Sequence, residues 1–185
     1  MNTQEQIFAI CRAHGIPSPA YLPGAEIVYD RDFRAICESN GCGCYGRCYM
    51  CPPHIGEIDT LMREANSYPH CVLFHTVGQL EDSFDFEGMT EAKNAHMRVA
   101  LAVAEKLKAL PCRHLLLVPG GCGVCARCAQ AEGKPCRFPE KAHSSPEGYG
   151  IFVSETAKRA GLSYCNGANT VTYFSLILFD DGAEA

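Results

Sequence analysis

Nine of the chain's thirteen cysteines fall in two short windows, residues 37–51 and 122–136. Thiols at that density must be crosslinked or must hold something, and the loops that carry them are folded around that task. The N-terminal stretch "MNTQEQIFAICRAHG" has no long apolar run, and the longest apolar runs elsewhere, "HLLLV" and "SLILF", are too short to cross a bilayer. A cytoplasmic, reducing setting is therefore expected. There an odd number of clustered thiols points to metal ligation instead of a disulfide framework.

The second window reads "PGGCGVCARCAQAEGKPC", with Cys122, Cys125, Cys128 and Cys136 spaced C-x2-C-x2-C-x7-C. Glycines at 120, 121 and 123 oppose a helix and favour a loop. Bacterial ferredoxins use C-x2-C-x2-C-x3-CP, so the first three spacings match and the last is longer. Zinc is the rival, but its usual framework pairs two C-x2-C knuckles across a loop, with sulfurs about 3.8 Å apart. Three thiols in one run suit the wider corners of a cubane, and the expected cofactor is a 4Fe-4S cluster. Arg127, Lys134, Arg137 and Lys141 lie around these ligands, placed either to offset the cluster's negative charge or as solvated surface cations.

The first window, "CESNGCGCYGRCYMCPPHIG", contains Cys37, Cys42, Cys44, Cys48 and Cys51, one more thiol than a cubane needs. Two readings stand. Either Cys37, Cys42, Cys48 and Cys51 ligate a second 4Fe-4S cluster and Cys44 is a neighbour, or Cys44, Cys48 and Cys51 form the C-x3-C-x2-C triad of a small radical S-adenosylmethionine-like enzyme with one open iron. The chain is small for that enzyme's partial barrel and has no evident glycine-rich motif for the methionine end of the cofactor. Pro52 and Pro53 stiffen the exit from the window.

Around the windows the apolar pattern predicts alternating elements. A helix over 3–14 ends at Gly15, with Ile7, Ile10 and Cys11 on one face. "AEIVYD" reads as a strand, "GEIDTLMREAN" as a helix and "HCVLFHTVG" as a strand. The longest predicted helix runs from Thr90 to Leu110 with Thr90 as its cap. "CRHLLLVPGG" is a strand, "SSPEGYGIFVSETAKRAGL" a helix capped by Ser145 with Pro146 at its first position, and "NTVTYFSLILFD" the last strand. The expected fold is α/β: one domain over residues 1–185, a mixed or parallel sheet covered by helices, and each cysteine window placed between a strand and the next helix. The order also suggests two similar halves.

The two windows, together with "PEKAHSSPEGYGIFVSETAKRAGL" and "NTVTYFSLILF", resemble a family of small bacterial and archaeal proteins described as predicted metal-binding, a domain of unknown function. The likeness covers most of the chain. It implies ligands at Cys37, Cys42, Cys48 and Cys51 and at Cys122, Cys125, Cys128 and Cys136, and it leaves the position of Cys44 variable, which weakens the radical-enzyme reading. It also implies anaerobic metabolism, with low-potential electrons passed to a partner, possible partners including corrinoid-dependent enzymes.

Other functions find less support. The net charge of −5 gives no basic stripe for nucleic acid, and no phosphate loop or dinucleotide fingerprint is present. Ser145 beside His143 has no third orienting group and is accounted for by capping. Cys11, Cys71 and Cys112 read as buried thiols, Cys165 as a spare, and His54 and His143 as neighbours of the windows. The expected function is an electron-transfer protein with two 4Fe-4S clusters and a redox partner protein, without nucleic acid or membrane. The alternatives are a zinc-binding structural or interaction module, and the open-iron enzyme.

Overall fold

The computed structural model describes residues 1–182. The last strand, β4 (Thr170–Phe179), and the long strand β2 (His70–Gln79) pair along their whole ten-residue lengths. The short strands β1 (Ala20–Pro23) and β3 (His114–Leu117) flank them in the order β1-β2-β4-β3. All three pairings are antiparallel. The expected mixed or parallel sheet is thus corrected to an antiparallel one. The alternation did carry true information: β2 and β3 are both antiparallel to β4, so they run the same way, as a strand–helix–strand crossover requires. β4 enters between them and prevents their pairing, a split crossover that local sequence does not announce.

Helices cover both faces of the sheet. On one side α1 (Thr3–Ala13) and α4 (Phe86–Leu107) bring Ile7, Cys11, Ala100, Val103 and Leu107 onto Val72, Phe74, Leu116, Ile177 and Phe179. On the other, α3 (Ile58–Asn66) and α5 (Val153–Arg159) bring Leu61, Ala65, Val153 and Ala157 onto Leu73, Leu117, Leu176 and Leu178. Successive strand residues face opposite layers, which is why "HCVLF" and "SLILF" are continuous apolar runs instead of alternating ones. Among the described residues, this is a single α/β domain of four strands and five helices.

Several boundaries differ from expectation for local reasons. The first strand is "AYLP", not "AEIVYD": Gly24 packs against the Tyr68 and Pro69 backbone, its N–H bonds to the Pro69 carbonyl at 2.8 Å, and the chain turns there. Of "AEIVYD", Tyr29 makes only an isolated bridge to Ile151. The long helix starts four residues early because Asp85, not Thr90, accepts the first-turn N–H of Gly88 at 2.8 Å. Thr90 instead donates to the Phe86 carbonyl within the helix. Ser145 Oγ accepts from Gly148 N–H at 3.1 Å, but the N-cap is Pro146, where the expected first helical residue stands, and the helix there is a single 3-10 turn, Glu147–Tyr149. Left-handed Gly150 ends that turn, and α5 begins at Val153. A short helix not foreseen, α2 (Phe33–Glu38), carries Cys37. The first window therefore lies between two helices, and only the second follows a strand, so the two halves are not alike.

One buried polar group spans the α4–sheet interface. His96 is fully buried, with Nδ1 2.9 Å from Thr76 Oγ1, Nε2 2.8 Å from Ser175 Oγ, and its ring stacked on Phe74. Burial, with His75 adding to it, holds this imidazole down to about 4. Between that value and the ordinary 6.5 the unfolded chain binds a proton that the folded chain refuses. Stability from this residue is complete above the upper limit and is lost as pH falls toward the lower. His96→Gln should shrink the stability difference between about pH 7 and about pH 5 by about 2 kcal/mol, read from urea midpoints.

Candidate metal centre

The windows are irregular loops held by their own backbone bonds. In the first, Asn40 adopts a left-handed conformation (φ 56°) and its Oδ1 accepts from Tyr45 N–H at 3.0 Å, curling the chain directly after α2. Gly46 N–H reaches the Pro52 carbonyl at 2.9 Å, and Cys51 N–H reaches the Cys48 carbonyl at 3.1 Å. In the second, Ala131 N–H bonds to the Cys128 carbonyl and Lys134 N–H to that of Ala129, closing the loop before Cys136.

Separate in sequence, the two loops are joined in space. The Tyr49 hydroxyl donates to the Lys134 carbonyl at 2.9 Å, and the Ser144 hydroxyl donates to the Met50 carbonyl at 2.8 Å. Gly121 is a further point of close approach: a Cβ there would lie 3.1 Å from Cys44 Sγ and 3.3 Å from Cys51 Sγ. Only glycine leaves both sulfurs undisturbed at that contact.

The nine window thiols line two neighbouring cavities. One, of about 450 Å³, has Cys37, Cys42, Cys44 and Cys51 in its wall. Opposite them stand Val153, Tyr164 and Phe174, with the last two rings stacked at 5.5 Å, and Glu147. The other, of about 20 Å³, is lined by Cys48, Cys122, Cys125, Cys128 and Cys136. The eight cysteines expected as ligands are thus all brought to the joined loops, but Cys48 faces the cavity of the second window. Cys44, treated as a neighbour, faces the cavity of the first. Of the C-x3-C-x2-C triad, Cys44 and Cys51 line one cavity and Cys48, beside the Cys51 thiol, lines the other.

Electrostatics differ around the thiols. Cys48 is 6% exposed, and its sulfur lies among the Cys51 thiol, the N–H groups of Met50 and Cys122, and the Cys128 thiol, all of which favour its ionised form. The Cys51 bond is the largest cause that pulls Cys48 down to about 5, against the opposing effect of burial. Cys51 is correspondingly pushed up, first by donating that bond and then by burial. Burial also raises Cys37, Cys44 and Cys122, although the Cys122 sulfur accepts N–H bonds from Val124 and His143. A cation drawn into either cavity would displace these protons, so binding and thiol ionisation are coupled.

The basic residues near the second window are largely engaged with other groups. Lys134 and Arg137 both pair with Glu132, at 3.0 and 3.4 Å, and Lys141 lies over the Phe138 ring. Lys93 is near the first window's thiols: its ammonium packs at Gly120, and its charge offsets a part of the rise that burial and the neighbouring cysteines impose on Cys44. His54 packs edge-on against Tyr49, while Cys11 and Cys71 are buried and Cys165 is exposed. Sequence reasoning placed Gly121 in the second loop but did not identify Lys93, Glu147, Tyr164 or Phe174 as parts of the site. Their types carry no motif, and only the fold brings them to the thiols.

An all-thiol donor set suits iron–sulfur clusters or zinc. The larger cavity has room for a polynuclear cluster, whereas the smaller is close to the volume of a single water-sized sphere. Among the described residues, no group of three His, Cys, Asp or Glu side chains is already arranged to hold a metal ion. No described helix is long and apolar enough to cross a membrane. Comparison with curated proteins and with solved structures gives no match. The model of one family, described as predicted metal-binding protein (DUF2284), matches residues 20–179. With most of its length and both thiol loops inside that match, the chain belongs to this cysteine-rich, predicted metal-binding family of unknown function.

Proposed function

We propose that the two thiol-lined cavities hold two 4Fe-4S clusters and that the protein passes single electrons between a donor and a partner enzyme. The observation that carries this reading is the meeting of nine cysteines from two distant windows around two adjoining cavities, one of about 450 Å³. Cubanes of this kind supply reversible one-electron chemistry at potentials tuned by hydrogen bonds to sulfur, nearby charge and solvent exposure. The chain's own part is to present thiolates, to direct N–H groups of Met50, Cys122, Val124 and His143 at Cys48 and Cys122, and to place Lys93 beside Cys44. All of these favour the ionised thiol.

The reading is tested by redox titration of anaerobically purified protein. Visible absorbance should bleach reversibly on dithionite reduction, with low-temperature EPR signals from both clusters. A protein with no chromophore that accepts electrons would end the proposal. A second reading is favoured by the small volume of the second cavity: one zinc ion there, with a cluster only in the first. That version predicts a single cluster signal and about one zinc per chain.

A further inference from the structure

Spacing groups Cys48 with the other cysteines of its own window, but the folded chain places it in the wall of a different cavity from all four of them. Cys37, Cys42, Cys44 and Cys51 share the larger cavity, while Cys48 faces the smaller one with the thiols of the second window. A turn closed by the Cys51 N–H to Cys48 carbonyl bond, 3.1 Å, sets the two thiols side by side at the boundary, Cys51 in the wall of the larger cavity and Cys48 in that of the smaller. Cys48 is buried against Cys122 N–H and the Cys128 thiol. On the other side, a Cβ added at Gly121 would meet the Cys44 and Cys51 sulfurs together, at 3.1 and 3.3 Å, so those two thiols border one space.

We propose that Cys44 is the fourth thiol ligand of the first metal group, with Cys37, Cys42 and Cys51, and that Cys48 crosses over to face the second group. The inference rests on the reading that these thiols hold metal, but not on which metal. The segment Cys48–Cys51 then links the two groups directly, one end to each. Two-cluster bacterial ferredoxins exchange a cysteine between motifs in a comparable way. Two paramagnetic groups held at the two ends of this four-residue segment would interact magnetically when both are reduced.

Four serine variants, purified anaerobically and checked for intact secondary structure by circular dichroism, test the assignment through iron, sulfide and zinc content and EPR. Cys37→Ser and Cys125→Ser serve as references for loss of the first and second groups. Cys44→Ser should lose about half the iron and sulfide, and the same EPR signal that Cys37→Ser loses. Cys48→Ser should keep that signal, its changes falling on the one that Cys125→Ser removes. The fully reduced parent should show spin–spin broadening that disappears in Cys44→Ser. Full metal content with both signals in Cys44→Ser, or loss of the first signal in Cys48→Ser, would overturn the inference. Should the protein bind zinc and no sulfide, the electron-transfer reading fails, while the assignment is still read from whether Cys44→Ser and Cys37→Ser lose the same zinc equivalent.

Discussion

Chelating the metal under anaerobic conditions lowers the melting temperature by about 8–16 °C. The size follows from linkage: a ligand present at about a thousand times its dissociation constant stabilises by about 4 kcal/mol, and each kcal/mol moves the midpoint of a chain this long by about 2–4 °C. The effect should also be local. Between α2 and α3, and from β3 to α5, the backbone has no regular structure beyond short 3-10 turns, so thiols holding a metal would carry much of the order there. The sheet has its own apolar layers on both faces. Hydrogen exchange after chelation should therefore quicken at residues 40–57 and 118–146 while β2 and β4 keep their protection. Equal melting temperatures before and after verified metal removal would show that the thiols do not hold a structural metal.

Gly121→Val abolishes metal loading of the first group, and Gly123→Ala does not. At Gly121 even a single Cβ meets Cys44 Sγ and Cys51 Sγ at 3.1 and 3.3 Å, and a branched side chain must push one or both sulfurs aside. Overpacking of this kind costs about 1–3 kcal/mol in an ordinary core, and here the displaced atoms are proposed ligands. At Gly123 nothing lies within 4 Å of the Cβ position and the backbone is not left-handed, so alanine fits. Iron or zinc content per chain, measured on the two variants side by side, separates a steric effect at the thiols from a general loss of loop flexibility. Full loading in Gly121→Val would show that the sulfurs at this contact are free to move without loss of metal.

Much of the site was readable because ligand chemistry is written in residue type and spacing. Cys122, Cys125 and Cys128, three apart among glycines, imply a loop around a metal, and all three do line one cavity. Strands β2, β3 and β4 were readable from runs whose residues are buried on both faces. Their pairing was not, because the insertion of β4 between β2 and β3 depends on contacts across about a hundred residues. The position of Cys48 was hidden for a similar reason. A step of three residues places Cys51 beside it, and the two thiols do adjoin, yet they line different cavities. The apolar wall of Tyr164 and Phe174 had no signal at all, since strand and loop aromatics usually serve only packing.

The most direct measurement is the iron, acid-labile sulfide and zinc content of protein purified without exposure to air. Two clusters predict about eight irons and about eight sulfides per chain with negligible zinc. About four of each with one zinc would support the mixed version, with a zinc ion in the smaller cavity. Zinc alone, with no sulfide, would contradict the electron-transfer account and leave a protein whose joined loops are held by structural metal.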